Sequence, residues 1–121
     1  MSLNKSENVP NLLDFYPHRS VEWERNDAGR IVLLVPRFSN RWMVKNILSR
    51  MKNKHLKIHL DEFGSWVWQR LDGRTAVREI GTGLVTAFGD SVEPVYPRLG
   101  LFINALARRR YIFLKDSVGD C

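Results

Sequence analysis

The stretch His55–Gly73, HLKIHLDEFGSWVWQRLDG, changes its hydrophobic period at Asp61, and that switch restricts the chain more than any other feature. Before it, Leu56, Ile58 and Leu60 alternate with His55, Lys57 and His59, the two-residue period of a strand with one apolar face. After it, Phe63, Val67 and Leu71 recur at steps of four, a helical stripe widened by Trp66 or Trp68. Asp61 stands between the two as an N-cap, its carboxylate able to accept from the exposed amides of the next turn. Asp72-Gly73 then breaks the helix. Strand, cap and helix follow without a linker, which predicts an α+β domain.

The flanking segments extend this pattern. Residues 1–17 read as a loose N-terminal arm with apolar anchors at Leu12, Leu13, Phe15 and Tyr16. VEWERNDAGRIVLLVP predicts a β-hairpin, with charge alternating around Val21 and Trp23, turn residues in NDAG, and Pro36 at the strand end. Residues 39–54 form a basic insertion of helical period, with Trp42, Met43, Ile47, Leu48 and Met51 on one side. Such a helix lies on a membrane surface or packs its stripe on its own core, and packing is the commoner outcome.

A second core helix is expected from about Ala76 to Phe88, with Val77, Ile80, Leu84 and Phe88 on one face and Gly89 as its stop. Gly81 and Gly83 weaken it by about 1 kcal/mol each relative to alanine, unless they permit a close helix approach. A third helix carries Leu99, Phe102, Ile103 and Leu106. Pro94 suits its start, whereas Pro97 predicts a kink or a reset near Tyr96. YIFL closes the domain as a short strand, and residues 116–121 are tail. The sum is winged-helix-like, a small antiparallel sheet followed by a three-helix bundle within residues 18–115.

The chemistry is narrower than the architecture. On a strand, His55 and His59 share a face but lie about 13 Å apart at ~3.3 Å per residue, too far for one metal. His18 is in the arm, so a third ligand is lacking and no metal site is expected. No serine sits in a nucleophile elbow, no glycine loop is placed to hold phosphate, and the acids fall at turns and helix starts. The expectation is a protein without catalysis or cofactor. The lone cysteine, Cys121, cannot staple the fold, which fits a reducing cytoplasmic setting. No apolar run approaches the ~20 residues that span a bilayer.

A net charge of +6 favours acidic partners, among them nucleic acid, anionic lipid or an acidic peptide; a solvated basic surface accounts for it equally well. A winged-helix fold with Arg108, Arg109 and Arg110 at the end of its third helix admits a nucleic-acid-binding reading, the arginines contacting phosphate. Against it, that helix exposes Leu101, Ala105 and only Asn104 among amides, where a DNA reader presents polar side chains. The arginines also complement the helix C-terminus.

LDEFGSWVWQRLDGRTAVREI, followed by FG, VEP and RLGLFINAL, resembles the PqqD-like family, also called the RiPP recognition element. The resemblance spans about Val21 to Leu114 and is most specific from Leu56 to Leu106. It is carried by Leu60, Asp61, Gly64, Trp68, Asp72, Gly73, Glu79, Ile80 and the Leu99–Leu106 stripe. It departs at Ala76, where the family has a capping threonine, at Pro97, and in the insertion at 39–54. The resemblance implies an adaptor that binds the leader segment of a ribosomally made precursor peptide and presents it to a modifying enzyme, often a radical S-adenosylmethionine protein. The leader would add as a strand along His55, Lys57, Ile58 and His59, with its apolar side chains in a cleft against the third helix. On that helix Leu101, Ala105 and Arg108 miss the core stripe, and Lys57 and Arg108 are placed to hold acidic leader residues. The tryptophans are expected to pack the core.

Overall fold

The computed structural model describes residues 11–36, 45 and 55–116. The fold is α+β, as expected, and divides into two compact units, Val21–Ser65 and Met1–Ser20 with Trp66–Cys121.

The Val21–Ser65 unit is an antiparallel sheet of β2 (Glu22–Arg25), β3 (Ile31–Pro36) and β4 (His55–His59), in the order β2-β3-β4. Asn26 builds the hairpin turn, its side-chain oxygen accepting from the amides of Ala28 at 3.0 Å and Arg30 at 2.9 Å. Gly29 takes the positive φ of 81° that the turn needs and a β-branched residue would resist. Ile31, Val32 and Leu33 are buried, so the apolar run of β3 is the centre of this unit. The basic insertion expected at residues 39–54 lies outside the described residues except for Lys45, which is helical and exposed.

At the end of β4 the period switch is realised as read. The Gly64 amide donates to the Asp61 carboxylate at 2.8 Å, capping α1 (Glu62–Gln69). Ser65 is tied back to the sheet, accepting from the Ile31 amide at 2.8 Å while its hydroxyl donates to the Leu60 carbonyl at 3.3 Å.

The other unit holds the rest of α1, then α2 (Val77–Phe88), α3 (Val95–Arg108) and a two-stranded antiparallel sheet of β1 (Tyr16–Arg19) and β5 (Ile112–Lys115). Its core is Val67, Trp68, Leu71, Val77, Ile80, Leu84, Leu99, Ile103, Leu106 and Ile112, most of the helical stripes read from the sequence; Phe63, Phe88 and Phe102, also read into those stripes, are only half-buried. Trp68 is fully buried, while Trp66 meets Phe88 edge-on at 6.1 Å and carries the Arg70 guanidinium 3.5 Å over its ring. Both tryptophans pack, as expected.

Gly81 and Gly83 make room for neighbours. A Cβ at Gly81 would overlap the Tyr96 ring of α3, and one at Gly83 would come within 2.7 Å of Trp66. Their weak helix propensity is offset by close approach.

Two local expectations are corrected. The end of the arm is ordered: Leu12–Asp14 is a 3-10 turn, and Tyr16–Arg19 pairs with β5 in the register Tyr16↔Lys115 to Arg19↔Ile112. The other edge of β1 is bonded as well, the Arg19 amide donating to Leu71 and the Gly73 amide to Pro17. Pro97 neither kinks nor resets α3. The helix starts at Val95 with Pro94 as its cap residue, which puts Pro97 in the first turn, where amides have no acceptor within the helix. The first helical bond is the one that Arg98 donates to the Pro94 carbonyl, at 3.2 Å.

Ala76 occupies the cap of α2 and has no side-chain acceptor to offer, but its own amide donates to the Glu79 carboxylate at 3.1 Å. The preceding turn is held by Asp72, which accepts from the amides of Arg74 and Thr75. Burial alone raises the Asp72 carboxyl, yet these bonds and one from the Thr75 hydroxyl outweigh it and leave the group below its ordinary value.

Candidate functional site

Register decides which backbone groups of β4 are available. The Leu60 amide donates to the Ile31 carbonyl at 2.9 Å, so Ile31 faces Leu60 as a hydrogen-bonded pair. Antiparallel ladders alternate. Leu33↔Ile58 and Val35↔Leu56 are therefore the bonded pairs, and Val32↔His59, Leu34↔Lys57 and Pro36↔His55 are not. The β2 side agrees, because the bonded pair formed by Asn26 and Arg30 leads to Glu24↔Val32 and Glu22↔Leu34. The amides and carbonyls of His55, Lys57 and His59 consequently point away from β3. Among the described residues no strand pairs with that edge.

The same register sorts the side chains. Trp23, Leu33 and Ile58 form one row, with Val35 and Leu56 beside them, on one face of the sheet. His55, Lys57 and His59 lie on the opposite face with Glu22 and Glu24. Leu56, next to the His55 end of β4, is 48% exposed, and Trp23, across the sheet on β2, is 36% exposed, so the apolar face is partly open. On the other face the Lys57 ammonium reaches Glu24 at 3.9 Å, with the two side chains 60% and 51% exposed. A pair so open and so long contributes little stability.

The strand half of the expected site thus has defined chemistry: His55, Lys57 and His59 offer backbone bonds at the edge, and Ile58 contributes half-buried apolar surface. Two neighbours were missed in the sequence reading. Leu56 was read only as part of the strand's apolar face, without regard to its place at the strand end, and Glu24 was read only as hairpin polarity. Opposite charge in EWER and HLKIH was the available signal for the second.

On α3, Leu101 is 75% exposed, and Ala105 and Arg108 share its exposed side. Arg109 is the C-cap residue and Arg110 turns the chain with φ 64°, its carbonyl accepting from the Ser20 hydroxyl at 2.9 Å. Three arginines at a helix C-terminus suit the negative end of its dipole.

Among the described residues no group of three or more His, Cys, Asp or Glu side chains could hold a metal ion. No helix among them is long and apolar enough to cross a membrane.

The family model described as coenzyme PQQ synthesis protein D matches residues 45–112. That span takes in β4, all three helices and the first residue of β5, and it is shorter than the resemblance read from Val21 to Leu114. No curated protein and no solved structure gives a significant match.

Proposed function

This chain belongs to the PqqD family, and on that premise we propose that it is a non-catalytic adaptor for a ribosomally made precursor peptide. The family implies a partner-binding role in biosynthesis. The finer reading is that the leader segment of the precursor adds as a strand to β4 and is presented to a modifying enzyme of the radical S-adenosylmethionine class. The recognition domain begins at β1 and ends with β5, residues 16–115, and the setting is the cytoplasm.

One observation carries the reading. The outward amides and carbonyls of His55, Lys57 and His59 lie on a strand edge that no described strand occupies. An edge of this kind pairs readily with an extended segment, the backbone bonds giving affinity and the flanking side chains giving preference. The exposed residues Leu101, Ala105 and Arg108 are a separate candidate surface for the same peptide, to be judged by substitution.

The test is a titration of isotopically labelled protein with the leader of a precursor encoded beside it. Slower amide exchange at Lys57 and His59, persisting at raised salt, is the expected result. Unchanged exchange at both would refute strand addition. Nucleic-acid binding is the competing outcome, recognised by tight, sequence-selective shifts whose affinity collapses with salt as counterion release loses its drive.

A further inference from the structure

We infer that β4 selects an extended segment carrying an apolar–acidic–apolar triplet, with the acidic residue opposite Lys57. The inference rests on the strand-addition reading and adds the chemistry of the segment. It follows from register, in three steps.

A strand added to this edge of β4 continues the pleat, so its side chains fall on the two faces already sorted by β3 and β4. Residues opposite Leu56 and Ile58 join the face of Trp23, Leu33 and Val35, where Leu56 stands 48% exposed. Apolar side chains there extend a surface that is already apolar. The residue between them is opposite Lys57 and falls on the other face.

Lys57 is the charge within reach of that middle position. Its present partner, Glu24, is two strands away, beyond β3, and is met only at 3.9 Å. Directly opposed residues on adjacent strands have Cβ atoms roughly 4.5–5.5 Å apart. An Asp or Glu on the added strand therefore meets the ammonium without the long reach, and displaces Glu24. A lysine there would face a like charge.

Phase matters as much as composition. An acidic–apolar–acidic triplet places one hydrophobe against Lys57 and two carboxylates over the apolar face. A one-residue slip re-phases it, setting a carboxylate opposite Lys57, but then only one hydrophobe lies on the apolar face where the favoured triplet places two. His55 and His59 flank Lys57 on the same face and offer ring nitrogens to polar residues on either side of the triplet.

The experiment uses three fluorescent seven-residue peptides of matched length, centred on Leu-Glu-Leu, Leu-Lys-Leu and Glu-Leu-Glu, against the full chain and its K57E variant. Amide exchange at Lys57 and His59 (position 57 followed as Glu in the variant) reports whether each peptide sits on β4. Wild-type protein is expected to prefer Leu-Glu-Leu over Leu-Lys-Leu by about threefold to tenfold, the scale of cross-strand charge pairs. K57E should invert that order, and Glu-Leu-Glu, with one hydrophobe on the apolar face in its best register, should bind the wild type more weakly than Leu-Glu-Leu. A preference that K57E leaves unchanged, with the β4 amides still protected, overturns the triplet rule and leaves strand addition standing. Failure of all three peptides to protect those amides at millimolar concentration also overturns the rule. Failure of the genuine leader to do so removes the underlying adaptor reading as well.

Discussion

Ser65 accepts a hydrogen bond from the backbone amide of Ile31 at 2.8 Å, joining the first turns of α1 to the first residue of β3. Ser65 is 4% exposed, so its hydroxyl has left water and is compensated by bonds to Ile31 and to Leu60. Ser65→Ala leaves the Ile31 amide without its acceptor. The expected loss is about 1–3 kcal/mol, the penalty for a buried donor left unsatisfied. Urea unfolding measures it, and an unchanged midpoint would show that the bond adds nothing.

Gly81 and Tyr96 form a second tight relationship, with opposite terms in competition. Gly81→Ala gains roughly 1 kcal/mol of helix propensity but pushes a methyl group into the Tyr96 ring. Overpacking typically costs about 1–3 kcal/mol, so net destabilisation is expected. The ring is also held by its hydroxyl, which donates to the Arg78 carbonyl at 3.1 Å and resists being swung aside. In a Tyr96→Ala background the same substitution should become stabilising. A double-mutant cycle with no coupling would place the ring away from Gly81 in solution.

These two relationships also mark how far the sequence was legible. The Asp61 cap, the β4 alternation and the helical stripes are local, each settled by residues within a turn or two, and the structure has them as read except that Phe63, Phe88 and Phe102 are only half-buried. β1 was taken for loose arm because Tyr-Pro-His-Arg has no periodicity and its partner, Ile112–Lys115, is at the other end of the described residues. The unpartnered YIFL strand was the signal, since a lone strand leaves its amides without acceptors. Pro97 was misjudged because its effect depends on where the helix begins to within one residue, finer than pattern reading resolves. For the site, the strand edge could be anticipated, but the exposure of Leu56 and the reach of Lys57 to Glu24 require the register.

Asp72 links stability to acid. Its carboxyl is depressed in the folded protein, so the folded state binds its proton less readily than the unfolded chain does. The contribution is present above the ordinary value of 3.8 and is lost as pH falls through the lower folded value. Asp72→Asn should lower stability near neutrality and flatten this part of the acid limb. Thermal unfolding of both proteins from pH 7 to pH 2 measures the difference. Parallel curves would show that Asp72 does not contribute to it.

Leu101→Asp tests the α3 surface. At 75% exposure the substitution should leave the unfolding midpoint within about 0.5 kcal/mol of the parent. If Leu101 contacts the leader, affinity falls by on the order of 1–3 kcal/mol, the scale of one lost apolar contact. Calorimetry with the leader separates the outcomes, and unchanged affinity removes Leu101 from the site.

The pairing of Tyr16 with Lys115 sets an order on synthesis. β1 is among the first described segments to leave the ribosome, and β5 is the last. Until Ile112–Lys115 has emerged, β1 is bonded among the described residues by the Leu71–Gly73 segment, and its ladder closes with the arrival of β5. Pairing across so long an intervening chain is entropically slow. A nascent chain stalled before Ile112 should therefore be cut by protease near Tyr16, while the released protein resists at the same place.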